Sequence, residues 1–74
     1  MRLSEKLRKL RKINKLSKEQ LAEKLNATNQ AVSEWELEKI YPDILNLVKL
    51  SDIFNISLDE LINDDIDIQR KLSK

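Results

Sequence analysis

Leucine and isoleucine recur along this chain at spacings of three and four, and short polar cap signals interrupt the pattern before any run grows long. Leu3, Leu7, Leu10 and Ile13 fall on one face of a helix, because residues three and four apart are surface neighbours there. A first helix over 3–13 follows, with basic residues on the rest of its circumference. Ser17, three residues before Gln20, has the spacing of a capping box, in which the hydroxyl takes an orphan amide of the next helix and the glutamine side chain reaches back. A second helix therefore starts at Lys18. Its apolar positions Leu21, Ala22 and Leu25 end before Asn26, a residue that enters the left-handed conformation more readily than most, so a tight turn is expected.

Thr28 is a natural N-cap for a short third helix with Val32 and Trp35 on its inner side, ending near Glu36. Periodicity is lost from Leu37 to Pro42. Pro42 suits the first position of a fourth helix, and the charge of Asp43 favours a helix start. Ile44, Leu45, Leu47, Val48, Leu50, Ile53 and Phe54 make that helix apolar over much of its circumference, which predicts a central place in a bundle. Ser57 and Glu60 repeat the capping-box spacing ahead of a fifth helix with Leu58, Leu61 and Ile62 facing inward. Residues 1–63 form one all-α domain in this reading. The tail, 64–74, is expected to be partly disordered or to add a dimer contact. A single core of this size supplies only about 3–5 kcal/mol, so dimerisation would help it.

The chain contains no cysteine, histidine or glycine. Disulfides, thiolate nucleophiles, the usual zinc ligands and the usual general base are thereby excluded, as are glycine-rich phosphate loops. An enzyme would have to rely on carboxylate pairs such as Asp59 with Glu60 or Asp64 with Asp65, which at helix starts and in tails are usually just solvated. No apolar run approaches the roughly 18 residues that cross a bilayer, and a signal peptide's apolar segment is missing, so a soluble cytoplasmic protein is expected. The net charge of +1 hides a strong polarity. Arg2, Lys6, Arg8, Lys9, Arg11, Lys12, Lys15 and Lys18 face only Glu5 in the first 18 residues, whereas 43–67 hold seven aspartates and glutamates against Lys49. Such a molecule is oriented by a polyanion.

Residues 18–36 read as helix, tight turn, helix. Ala22 is small enough to let two steeply crossing helices approach, while Leu21, Leu25, Ala27, Val32 and Trp35 converge inward. What remains outward on the second of these helices is Thr28, Asn29, Gln30, Ser33 and Glu34, short polar groups able to read base edges.

The run L-S-K-E-Q-L-A-E-K-L-N-A-T-N-Q-A-V-S-E-W-E, with the following I-Y-P-D-I-L-N-L-V-K-L-S-D-I-F-N-I-S-L-D-E-L, resembles the phage-repressor or Cro-like helix-turn-helix family, the xenobiotic response element family of small bacterial and phage transcriptional regulators. The likeness covers residues 3–63. It implies a compact five-helix, lambda-repressor-like domain that binds a palindromic double-stranded DNA operator as a homodimer, with the third helix in the major groove and no cofactor. Carried over by position, Thr28, Asn29, Gln30, Ser33 and Glu34 match base-facing or groove-edge sites. Asn29 and Gln30 would each favour adenine, since a side-chain amide pairs with N6 and N7 at once, for about 1–3 kcal/mol of discrimination. Ser17 and Lys18 match a phosphate site at a helix start. Arg11 and Glu36 match a pair that links the first helix to the end of the third beside the DNA backbone, a place where a structural salt bridge is equally expected. Lys39 is a further phosphate candidate, followed by Arg8 and Lys12.

Four departures from the family pattern bear on the fold or on affinity. Lys18 replaces a common glutamine and keeps phosphate contact as a point charge. Glu34 stands where lysine or glutamine is frequent, and is repelled by phosphate unless it accepts from a cytosine amino group. Asn26 replaces the customary turn glycine at a cost that the fold should survive, and Leu37-Glu38 replaces Asn-Gly, so a different loop and a lost backbone contact are expected after the third helix. A repressor that occludes promoter DNA fits these features. With little chain after the fifth helix, its control would come from dimerisation, abundance or a partner. The alternative is an antitoxin-like or protein-interaction module that uses the same scaffold and binds DNA weakly. No membrane or small-molecule substrate is indicated.

Overall fold

The computed structural model describes residues 2–62, and all of the regular structure among them is helical. The elements are α1 (Leu3–Ile13), α2 (Lys18–Leu25), α3 (Asn29–Glu36), α4 (Ile44–Phe54) and α5 (Leu58–Ile62). The expectations for 63–74, tail and domain boundary included, lie outside the described residues.

Each helix start from α2 onward is set by a side chain that takes an amide lacking an intrahelical partner. Ser17 Oγ accepts from the Gln20 amide at 3.0 Å, while Gln20 Oε1 accepts from the Ser17 amide at 2.8 Å, completing the capping box. Thr28 Oγ1 accepts from Ala31 and Ser57 Oγ from Glu60, both at 3.0 Å. At α4 the structure corrects the expectation. Asp43 is the N-cap, extended at φ −74° and ψ 172°, and accepts from the Asn46 amide at 2.9 Å. Pro42 consequently precedes the helix and is buried. A carboxylate that binds a first-turn amide must stand outside the helix, and this moves the start two residues past the proline.

The ends are made without glycine. Lys15, Asn26, Glu38 and Asn55 each adopt the left-handed conformation, at φ 57°, 56°, 62° and 55°. In every case the following residue donates its amide to the carbonyl five residues back: Leu16 to Arg11, Ala27 to Ala22, Lys39 to Glu34 and Ile56 to Ser51, at 2.8–3.0 Å. This is the Schellman closure, which an apolar residue after the left-handed one usually seals. Leu16, Ala27 and Ile56 pack against the core; Lys39 is exposed. Glu38 therefore takes the backbone conformation that glycine favours, and the loop after α3 keeps a left-handed turn.

The core is almost entirely aliphatic. Leu3 and Leu7 of α1, Leu21, Ala22 and Leu25 of α2, and Val32 and Trp35 of α3 meet Leu47, Leu50 and Phe54 of α4 and Leu61 of α5. Ala22 is buried where α2 packs on α3. Two inward assignments fail. Ile13 is 65% exposed, because it lies on the last turn of α1, beyond the helices that cover Leu3 and Leu7. Helix α4 buries one face only, leaving Ile44, Leu45 and Val48 exposed; α2 and α5 are its main neighbours and both lie on the Leu47–Leu50–Phe54 side.

One buried charge joins three segments. Glu36 at the end of α3 is 3% exposed. Its carboxylate accepts from Arg11 Nε at 2.7 Å and Arg11 Nη2 at 3.2 Å, and the same guanidinium donates through Nη1 to the Leu16 carbonyl at 2.9 Å. Arg8 adds a 3.5 Å ion pair to that carboxylate and donates to the Glu36 carbonyl at 3.2 Å.

Two outcomes are expected in thermal melts. Lys15→Gly exchanges a left-handed side-chain clash of about 1–2 kcal/mol for a smaller gain in unfolded-chain freedom, so it raises stability by roughly 0.5–1 kcal/mol and the melting temperature by several degrees. An unchanged or lower melting temperature contradicts the strain assigned to that turn. Arg11→Met strands a buried carboxylate and costs about 3 kcal/mol, whereas adding Glu36→Met recovers most of that loss. Additive losses in this cycle would show that the pair is not coupled.

Candidate nucleic-acid interface

Helix α3 presents a continuous polar surface. Thr28, Asn29 and Gln30 are exposed at its start, and Ser33 and Glu34 are half-exposed one turn later. They share this surface because Val32, Trp35 and Glu36 take the inner side, leaving the remaining positions of a 3.6-residue repeat outward. All five residues singled out from the sequence therefore lie on α3 or at its N-cap. Their groups are not equivalent. The Thr28 hydroxyl already accepts the Ala31 amide, so it has its own hydrogen to offer. Asn29, Gln30 and Glu34 make no side-chain hydrogen bond among the described residues, and their full donor and acceptor sets face outward.

The candidate phosphate contacts divide. Ser17 and Gln20 satisfy each other's amides, which leaves the first-turn amides of Lys18 and Glu19 without an intrahelical acceptor. Lys18 is half-buried beside them, and Lys39 is exposed in the loop that follows α3. Arg11 has a side chain 12% exposed and commits three N–H groups to Glu36 and Leu16. A guanidinium carries five, so two remain. The basic cluster is also partly engaged inside the protein. Arg2 pairs with Glu38 and donates to the Tyr41 hydroxyl at 3.0 Å, and Lys6 donates to the Glu60 carbonyl. Lys9 and Lys12 remain exposed on α1.

Lys49 escaped the sequence reading. Its ammonium donates to the Leu25 carbonyl at 3.2 Å, at the negative end of α2 where a cation is favoured, and so braces the turn between α2 and α3 from α4. A single lysine among the apolar residues of that helix was the available signal. Among the described residues no group of three histidines, cysteines, aspartates or glutamates could hold a metal ion; Asp64 and Asp65 lie outside them. No helix among the described residues is long and apolar enough to cross a membrane.

The chain is similar to the HTH-type transcriptional activator BcrR of Enterococcus faecalis, 41% identical over 63 residues that make up 85% of this chain and 31% of that protein. It is also similar to the HTH-type transcriptional regulator YqaE of Bacillus subtilis, 39% identical over 80% of this chain and 51% of the relative. The chain thus spans a third to a half of the length of these curated relatives. The solved structure of the P22 c2 repressor in complex with a synthetic operator superposes with a TM-score of 0.81 at 31% identity, covering 88% of this chain and 98% of the repressor chain. The helix-turn-helix family model HTH_3 matches residues 7–61, and the chain belongs to that family.

Proposed function

We propose that this chain is a sequence-specific double-stranded DNA-binding transcriptional regulator, a repressor that inserts α3 into the major groove of a palindromic operator as a homodimer. The carrying observation is the outward row Asn29, Gln30, Ser33 and Glu34 on a helix whose far end is pinned by the buried Arg11–Glu36 pair. A reading helix must hold its side chains in register with base edges, and that pin removes its freedom to swing. The similarity to a repressor solved on operator DNA supports the same docking.

Gln30 and Asn29 read adenine, Thr28 and Ser33 reach groove-edge groups, and Glu34 accepts from a cytosine amino group. Lys18, the α2 amides, the Ser17 hydroxyl and Lys39 hold phosphates, and Arg11 contributes its two uncommitted N–H groups. No cofactor is required. Repression follows from occlusion, since a domain seated in the groove blocks the promoter beneath it; a relative described as an activator shares the domain and extends well beyond its length.

Selection of genomic fragments on the purified chain, followed by sequencing, is expected to recover a palindrome with half-sites about one helical turn apart. Affinity for the recovered duplex should fall steeply with salt and exceed that for random DNA by at least about a thousandfold. Flat, undetectable binding to every duplex would favour the protein-interaction module instead. Gln30→Ala should relax preference at one adenine by about 1–3 kcal/mol while leaving the salt slope unchanged. Unaltered discrimination across operator variants would remove Gln30 from the base-reading set.

A further inference from the structure

Ile13 is 65% exposed, the most of any large hydrophobic residue among those described. It immediately precedes Asn14, which lines a trough between the ends of α1 and α4 that continues along α2. The first part of the trough, about 500 Å³, is bounded by Asn14, Leu16, Lys24 and Ile53; the second, about 360 Å³, by Leu16, Gln20, Glu23 and Lys24. The two parts meet at Leu16 and Lys24. The approach to the trough and its far end carry opposite charge. Lys9 lies one turn before Ile13 on the same flank of α1, with Lys12 on the neighbouring flank, whereas Glu19 and Glu23 lie one turn apart on the outer side of α2. All four are exposed, and none makes an ion pair or a side-chain hydrogen bond among the described residues.

We propose that residues 64–72 of the same chain occupy this trough, folding back from the end of α5 along α1. The order of charge and apolarity in that segment matches the order on the surface. Asp64, Asp65 and Asp67 come first, Ile66 and Ile68 alternate with them, and Arg70 and Lys71 follow. The aspartates meet Lys9, Lys12 and Lys24, the isoleucines cover Ile13, Leu16 and Ile53, and the two cations reach Glu19 and Glu23. The chain is long enough. Lys6 donates to the Glu60 carbonyl, so α5 ends beside the first half of α1, and Ile13 lies about 10 Å further along that helix. Four residues of extended chain span about 13 Å, which brings Ile66 from the end of α5 to Ile13. Asn63, Asp64 and Asp65 are residue types that favour a reversal of chain direction. Ile13 lies across α1 from Arg11 and its partner on α3, so the docked segment leaves the outward row of α3 open, and the proposal stands or falls independently of the DNA reading.

The chain has no cysteine, so Ile13→Cys in the full chain places a single thiol at the edge of the trough, and Leu45→Cys places one on the exposed side of α4. The Ile13→Cys thiol is expected to react with iodoacetamide, an uncharged reagent, severalfold faster once Ile66→Ser and Ile68→Ser are added, and faster in high salt, which screens the aspartate–lysine pairs. The Leu45→Cys thiol should react at one rate with or without the two serines. Because the cysteine itself trims the site, the otherwise unaltered chain gives a second reading. There the two serines should lower the melting temperature by several degrees at every protein concentration, whereas serines in a segment that touches nothing leave it unchanged. Equal reactivity of the Ile13→Cys thiol with and without the serines, together with an unchanged melting temperature, would overturn the proposal. Shielding of that thiol that grows with protein concentration assigns the trough to another copy, and shielding of Leu45→Cys that the serines remove assigns the segment to α4; either result overturns it as well.

Discussion

A carboxylate inside an aliphatic core is tolerable only if it stays paired, and Glu36 imposes that condition on half of this domain. Its partner Arg11 lies 25 residues earlier on α1, so α1 cannot shift without uncovering a charge. The same guanidinium holds the Leu16 carbonyl, and this fixes how the chain leaves α1 for α2. Arg8 takes the Glu36 carbonyl. The end of α3 is thus located by polar bonds with strict geometry, while its inner face is held by the buried Val32 and Trp35. Apolar burial supplies the stability, and the ion pair supplies the angle at which the outward face of α3 is presented.

The helix ends follow a common rule. Four turns use lysine, asparagine, glutamate and asparagine in the left-handed conformation that glycine would adopt without strain. The cost, of order 1–2 kcal/mol at Lys15 and Glu38 and less at the two asparagines, is offset by the Schellman amide bonds and, at three of the four, by an apolar side chain folded back onto the core. At Glu38 the side chain also pairs with Arg2, tying the start of α1 to the loop behind α3. Chain direction is therefore set at every corner by groups close in sequence, and the corners in turn bring distant groups such as Lys49 and Leu25 together.

The limits of α1, α2 and α3, the left-handed turn at Asn26 and the outward row on α3 were legible from residue spacing, because the bonds that start and stop a helix are made within about five residues. The division of the basic residues was not. Arg2, Lys6, Arg8 and Arg11 read as one electropositive cluster with Lys9, Lys12, Lys15 and Lys18, yet the first four find acceptors on α3, the loop after it and α5. A count of charges carries no information on which carbonyls and carboxylates lie within reach. The same gap hid Lys49. Pro42 misled for a local reason, since both it and Asp43 suit a helix start and only one can stand at the cap.

By itself the sequence determined an all-helical domain, where its first three helices begin and end, and which side chains of 28–34 face away from the core, because backbone hydrogen-bond closure and the 3.6-residue repeat act over a few residues. Only the tertiary structure decided that Ile13 lies past the edge of the core, that Arg11 is largely engaged by Glu36, and that the apolar character of α4 is divided between a core face and an open one. Each of these depends on which helices lie alongside which, and that is settled by packing among residues tens of positions apart.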